Sequence, residues 1–200
     1  MERVWWERTL LVLRRPAEVF AALREDDDHS RSEPLLAIVF LAGIAGVIGT
    51  NAFSHALDDF ELDGLTLAVV AFISGGLYGL VGYFLLGFLV YAGARAAGSD
   101  VTFGRARQIV GFAAVPLALS LLVWFVRIAV YGGDPFRTGG SDTGFGNHLF
   151  EGIELAVLLW SGALLVIGLR AYHGWSIPRA LAAAIPALAL PLLALALAFG

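Results

Sequence analysis

The chain of 200 residues contains no cysteine and no lysine, and its 13 basic residues are all arginine. Without cysteine there is no disulfide, no thiolate metal site and no cysteine nucleophile, and nothing in the thiol content bears on redox compartment. Charge of either sign is scarce: 15% of the residues are charged, against about a quarter in an ordinary soluble domain. The net charge is −4. No basic block with interleaved aromatics is present to neutralise several phosphates, which argues against a nucleic-acid partner.

Recognisable catalytic patterns are missing as well. There is no HExxH, no nucleophile elbow and no paired-histidine motif. Gly139, Gly140, Ser141 and Asp142 read as a flexible loop, because no Lys or helix-opening motif follows to make a phosphate cradle. Ser161 lies in the middle of an apolar segment with no histidine at matching depth, so an intramembrane serine protease is not supported. No enzyme activity, cofactor or metal is expected.

What the chain does have is apolar surface. The apolar share is 58% and the mean hydropathy is +0.79, an excess that a water-soluble core does not absorb. Apolar stretches run from Pro34 to the C-terminus, so residues 34–200 read as one membrane domain and residues 1–33 as a cytoplasmic leader. The arginine-only composition, rich in Ala, Gly, Leu and Val, together with the run Asp26, Asp27, Asp28, points to a high-GC prokaryotic source.

The leader is not a secretory signal, since the apolar run Leu10 to Leu13 is short and is followed at once by Arg14 and Arg15. Trp6, Leu10 and Leu13 share one helix face, with Arg3, Arg8, Arg14 and Arg15 placed to meet anionic headgroups, the pattern of an interfacial amphipathic helix. Pro16 opens a second short helix, Ala17 to Arg24, whose apolar side is Val19, Phe20 and Leu23. These two helices either pack on the membrane domain or present a surface to a partner.

Five apolar segments follow, at Pro34–Ala56, Leu67–Ala92, Ile109–Tyr131, Ile153–Leu169 and Ile177–Phe199. Crossing about 30 Å of hydrocarbon takes roughly 20 helical residues. The expected fold class is therefore all-α: a polytopic membrane protein, a five-transmembrane-helix bundle with N-terminal interfacial helices. The fourth segment is the shortest and carries Glu154 just inside its start. Six arginines precede the first segment, three lie between the second and third, and Arg170 and Arg179 flank the fourth connection, whereas the opposite side has Arg137 alone. The positive-inside rule then places the N-terminus in the cytoplasm and the C-terminus outside a cell membrane.

Small residues recur at helix-packing intervals: Ala42 and Gly46, Ala45 and Gly49, and Gly75 and Gly79 followed by Gly82. Such spacing lets backbones approach closely in lipid and points to the first two segments as the tight core. Pro116, Pro186 and Pro191 are expected to kink or open their helices. Ionisable groups at membrane depth are more telling, because they face partners or water. Glu151 and Glu154 share a helix face, which makes an ion pair from Arg127 to Glu154 geometrically plausible. Asn51 and His55 end the first segment on the same outer side. Asn51, His55, Arg127, Glu151 and Glu154 thus define a candidate outer polar cluster, read either as a structural ion pair or as a proton, cation or solute site. Asp58, Asp59, Glu61, Asp63, Asp134 and Asp142 form an acidic rim on the same side. Their spacing is not that of an EF-hand, and they read as solvated loop charges.

The order of these parts resembles the Yip family (Ypt/Rab-interacting proteins) of five-span membrane proteins. The residues that carry the resemblance are Arg15-Pro16-Ala17-Glu18-Val19-Phe20, Glu33-Pro34-Leu35-Leu36, and the segment from Gly98 to Pro116, with Gly111, Phe112 and Pro116 at the third-span entry. The resemblance implies a cytoplasmic N-terminus and, as in the family's eukaryotic members, binding of small Rab-type GTPases and a part in vesicle traffic and membrane shaping. The acidic-Leu-Tyr-Gly-Pro motif of those members is absent here, so GTPase binding is not carried over. The expected function is a non-enzymatic membrane scaffold or organiser whose partners are the lipid bilayer, a protein at the cytoplasmic N-terminus, or a second copy in a homo-oligomer. The alternative is a small transporter or ion-conducting protein that uses the outer polar cluster.

Overall fold

The computed structural model describes residues 5–25, 33–50, 56–59 and 63–199. Among them the chain is all-α, with no strand. The leader forms α1 (Trp5–Arg14) and α2 (Pro16–Ala22). The apolar helices are α3 (Glu33–Ile48), α5 (Gly64–Ala96), α6 (Phe103–Ala113), α7 (Val115–Tyr131), α8 (Phe145–His173) and α9 (Ile177–Phe199), with a one-turn α4 (Ala56–Asp59) and a 3-10 turn at Asp134–Phe136 on the loops.

Among the described residues, three helical stretches are long and apolar enough to cross a bilayer: Gly64–Ala96, Phe103–Tyr131 and Phe145–His173. The other two described apolar stretches, Leu35–Ile48 and Ile177–Leu190, are shorter. At about 1.5 Å per residue, the 16 residues of α3 cover less than the hydrocarbon thickness. The helix stops short of the expected Ala56 at Ile48, where Gly49 and Thr50 begin a turn and the Thr50 hydroxyl bonds back to the Val47 carbonyl at 2.6 Å.

Elsewhere the helices outrun the apolar segments, and local capping explains the new ends. Asp63 accepts from the Thr66 amide at 2.7 Å and starts α5 ahead of Leu67. Thr102 accepts from the Arg105 amide at 3.3 Å and starts α6 well before Ile109. Both are side-chain caps that satisfy otherwise orphaned first-turn donors. The fourth segment is not the shortest: α8 runs for 29 residues and ends at Gly174, a left-handed cap with φ 68°. Hydropathy underestimates it because its first two turns hold polar residues that are paired within the protein. Pro116 follows a one-residue break at Ala114 that divides the Phe103–Tyr131 stretch into α6 and α7, the local opening expected of it, and it lies in the first turn of α7. At that position its missing N–H costs no hydrogen bond. The α9 helix passes through Pro186 and Pro191 without interruption.

Packing is centred on α5, which lies against α3, α6 and α9. Its glycines make those approaches possible. A Cβ at Gly43 of α3 would collide with the Gly75 carbonyl and with the backbone of Gly79, and one at Gly79 would strike the Val39 carbonyl. Further along, Gly87 faces Arg107 of α6 and Gly93 faces the Ala183 carbonyl of α9. The crossing of α3 and α5 thus turns on Gly43, Gly75 and Gly79. Gly46 instead meets the Tyr78 ring, Gly49 lies near Trp124, and a Cβ on Gly82 would meet nothing within 4 Å.

The leader is built into the bundle. Val12 of α1 and Val19, Phe20 and Leu23 around α2 are buried in one cluster with Ile109, Leu164 and Leu169. Phe20 is fully buried. It sits over Gly168 and meets Phe112 edge-on at 6.3 Å. Trp6 and Leu10 on the opposite face of α1 remain exposed.

Gly43→Ala should lower the stability of the detergent-solubilised protein by about 1–3 kcal/mol, the usual cost of overpacking a tight contact, while Gly82→Ala should leave it unchanged. Thermal unfolding of the two variants side by side checks this. Equal melting temperatures would remove the α3–α5 crossing from its central place in the packing.

Candidate functional site

The polar centre of the molecule lies where α7, α8 and the loop between them meet. Arg127 faces inward from the last turns of α7 and is only 8% exposed. Its guanidinium donates to Asp142 Oδ2 at 3.0 Å, to Asn147 Oδ1 at 2.5 Å and to Glu154 Oε1 at 3.3 Å. Trp124 and Phe150 flank it, with ring centroids 4.9 and 5.9 Å from Cζ. Its Nε is buried without a partner among the described residues. Asn147 passes the contact on, donating to Glu151 Oε1 at 2.8 Å, and Glu151 also meets His148 at 3.2 Å.

Of the residues singled out from the sequence, Arg127 and Glu154 are in direct contact, and Glu151 joins them through Asn147. Asn51 and His55 lie outside the described residues. Asn147 completes a ladder with Glu151 and Glu154 at i, i+4 and i+7 on one face of α8, a periodicity visible in the sequence. No comparable signal marks Asp142, which reaches Arg127 from the loop.

That loop is an organised cap: Asp58 is solvent-exposed and Asp134 partly so, as read from the sequence, and both also accept hydrogen bonds, while Glu61 lies outside the described residues. Asp134 accepts from the amide and the hydroxyl of Ser141. Asp58 accepts from the amide of Thr138 at 2.8 Å and from its hydroxyl. Phe136 of the 3-10 turn stacks on Trp124 at 6.1 Å. The hydrogen bonds from Ser141, with a smaller contribution from Arg137, hold the Asp134 carboxyl below its ordinary value of 3.8. The hydrogen bond from Thr66 does the same for Asp63.

A second set of polar contacts, not found by reading the sequence, closes the other end of the bundle. Arg24 donates to the Tyr172 and Ala171 carbonyls at 2.7 and 3.1 Å, and Arg179 donates twice to the Ala97 carbonyl at 3.1 and 2.5 Å. Cations are thereby placed on the last carbonyls of α8 and α5, where the helix dipole favours them. His173 bridges Ser99 Oγ at 2.7 Å and the Leu169 carbonyl at 2.9 Å and stacks on Trp175 at 4.0 Å. Of the positions that carried the family resemblance, Pro16 opens α2, Phe20 fills the core, Gly111 packs against Leu35 and Tyr83, and Pro116 is buried at the start of α7.

Long apolar helices joined by glycine contacts and braced by a buried ion-pair network define a multi-pass helical membrane protein. Residues 10–199 match the Yip1 domain, and the chain belongs to that family. No curated protein and no solved structure matches it.

Arg127→Ala leaves Asp142 and Glu154 without their cation in a low-dielectric setting, and should cost about 3–5 kcal/mol, the range for breaking a buried ion pair from one side. An Arg127→Ala variant as abundant and as heat-stable as wild type would contradict a bracing role for the cluster.

Because the Asp134 carboxyl is held below its unfolded value, its contribution to loop order is complete above that value and is lost as pH falls through the lowered one. A spin label at position 143, an exposed site in the same loop, should therefore gain mobility on acidification below about pH 4. Asp134→Asn should show that mobility already at neutral pH. A wild-type label whose mobility stays flat from neutral to strongly acidic pH would contradict this.

Proposed function

We propose that the chain is a non-enzymatic, five-span membrane scaffold that presents its leader helices to a protein partner, with the N-terminus cytoplasmic and the C-terminus outside. The observation that carries this reading is the way the leader is held. α2 is anchored in the bundle by Phe20 against Gly168 and by Arg24 on the α8 carbonyls, while Trp6 and Leu10 of α1 are 51% and 57% exposed. An amphipathic helix fixed on a rigid platform with two large apolar side chains outward is suited to helix-type recognition. The arginine distribution supports the orientation. The Arg127 network serves here as a brace, since three side chains already engage its guanidinium, and this arrangement does not favour a transport site.

The leader cannot be deleted cleanly, because Phe20 and Leu23 belong to the core. A photocrosslinking residue at Trp6, compared with one at the outward-facing Leu122 of α7, is the appropriate test in native membranes. The expected result is one defined protein adduct from position 6 and lipid adducts alone from position 122. An adduct to a second copy would make the scaffold a homo-oligomer. Lipid adducts alone from position 6 would refute the partner-binding reading.

A further inference from the structure

Most arginines at the end of the bundle where α5 finishes and α6 begins have protein partners. Arg24 and Arg179 close helix ends, Arg95 lies 3.5 Å from Asp100, and Arg105 donates to Gln108 at 2.9 Å. Arg107 is different. It is half-buried on α6, forms no hydrogen bond or ion pair with a described residue, and its Nε is buried without an acceptor.

Its surroundings are aromatic. The side-chain stem lies on Gly87 of α5, where a Cβ would strike Arg107 Cγ. That passage carries the guanidinium to the rings of Phe84 and Phe103, each 4.8 Å away, and of Tyr83 at 5.6 Å. Phe84 and Phe103 are exposed on the outer surface of the bundle. Tyr83 is only 2% exposed, and its hydroxyl is a second buried polar group with no partner among the described residues. Two adjoining side chains thus each leave a buried polar atom unsatisfied, although such groups in folded proteins almost always find a partner.

Ring faces stabilise a cation but accept few of its five in-plane N–H donors. The acceptor that completes this geometry is a compact oxyanion, because the guanidinium fork matches phosphate oxygens in pairs. Arg107 lies one turn into α6, about 6 Å along the helix from Phe103, near one end of a membrane-spanning stretch, where headgroup phosphates lie.

We propose that Arg107 and Tyr83, framed by Phe84 and Phe103, form a binding site for a phosphate oxyanion at the arginine-rich membrane surface, supplied by a phospholipid headgroup or by free phosphate. The site depends on the membrane reading of the chain and not on the scaffold reading, so the two stand or fall separately.

The test uses the full chain, delipidated in detergent, titrated with phosphatidylglycerol in one arm and inorganic phosphate in the other. Native mass spectrometry reads occupancy, and thermal unfolding reads stabilisation. Arg107→Gln should weaken binding about tenfold, in line with the loss of charge-assisted hydrogen bonds. Tyr83→Phe, which keeps the packing, should weaken it a few-fold, and Arg95→Gln should leave it unchanged. Binding in the lipid arm with no response to phosphate assigns a headgroup, and a response to phosphate with competition between the arms assigns the free anion. If Arg107→Gln does not fold, Tyr83→Phe decides. Wild-type binding by Arg107→Gln and Tyr83→Phe, or an equal loss in Arg95→Gln, would overturn the proposal.

Discussion

The close approach of α3 and α5 at Gly43, Gly75 and Gly79 is the contact on which the rest of the bundle depends. In lipid, helices gain nothing by hiding apolar side chains from their surroundings, so association rests on how closely backbones fit. Glycine provides that fit at no side-chain cost. Having fixed α3 on one side, α5 repeats the device toward Arg107 with Gly87 and toward α9 with Gly93. One 33-residue helix therefore sets the positions of three neighbours, and α7 and α8 are placed by what remains.

The two ends of the bundle are closed by different chemistry. At one end, Arg24 and Arg179 neutralise the exposed carbonyls of α8 and α5 and tie the leader and α9 to helices far away in sequence. At the other, Arg127 gathers Asp142, Asn147 and Glu154, and the loop folds over Trp124 through Phe136. The helical body is braced at both ends, and the leader keeps Trp6 and Leu10 exposed on its outer face. Anchoring by Phe20 makes that face a fixed feature of the molecule and not a loosely tethered arm.

Much of this was legible beforehand because lipid imposes strong rules. Every backbone polar group at membrane depth must be satisfied within the segment, which makes apolar runs helical, and the i, i+3 spacing of Glu151 and Glu154 sets them on one face whatever lies opposite. The glycine pattern was visible too, but Gly43 was not among the spacings noted, because each glycine of a rich set fits some interval. Helix starts were misplaced at α6 and α8 because hydropathy counts Arg105, Gln108, Asn147 and Glu151 against their segments without knowing that the fold has paired them.

The sequence by itself determined the class of the molecule, its helical content, the arginine asymmetry between its ends and the face shared by the α8 carboxylates, since all of these follow from composition and local periodicity. Only the tertiary structure decided that Phe20 belongs to the core, that Asp142 reaches Arg127 from a loop, that Asp134 orders that loop, and that Arg107 lies among the rings of Tyr83, Phe84 and Phe103. Those outcomes depend on distances between residues far apart in the chain, and such distances are set by how closely the glycines allow the helices to pack.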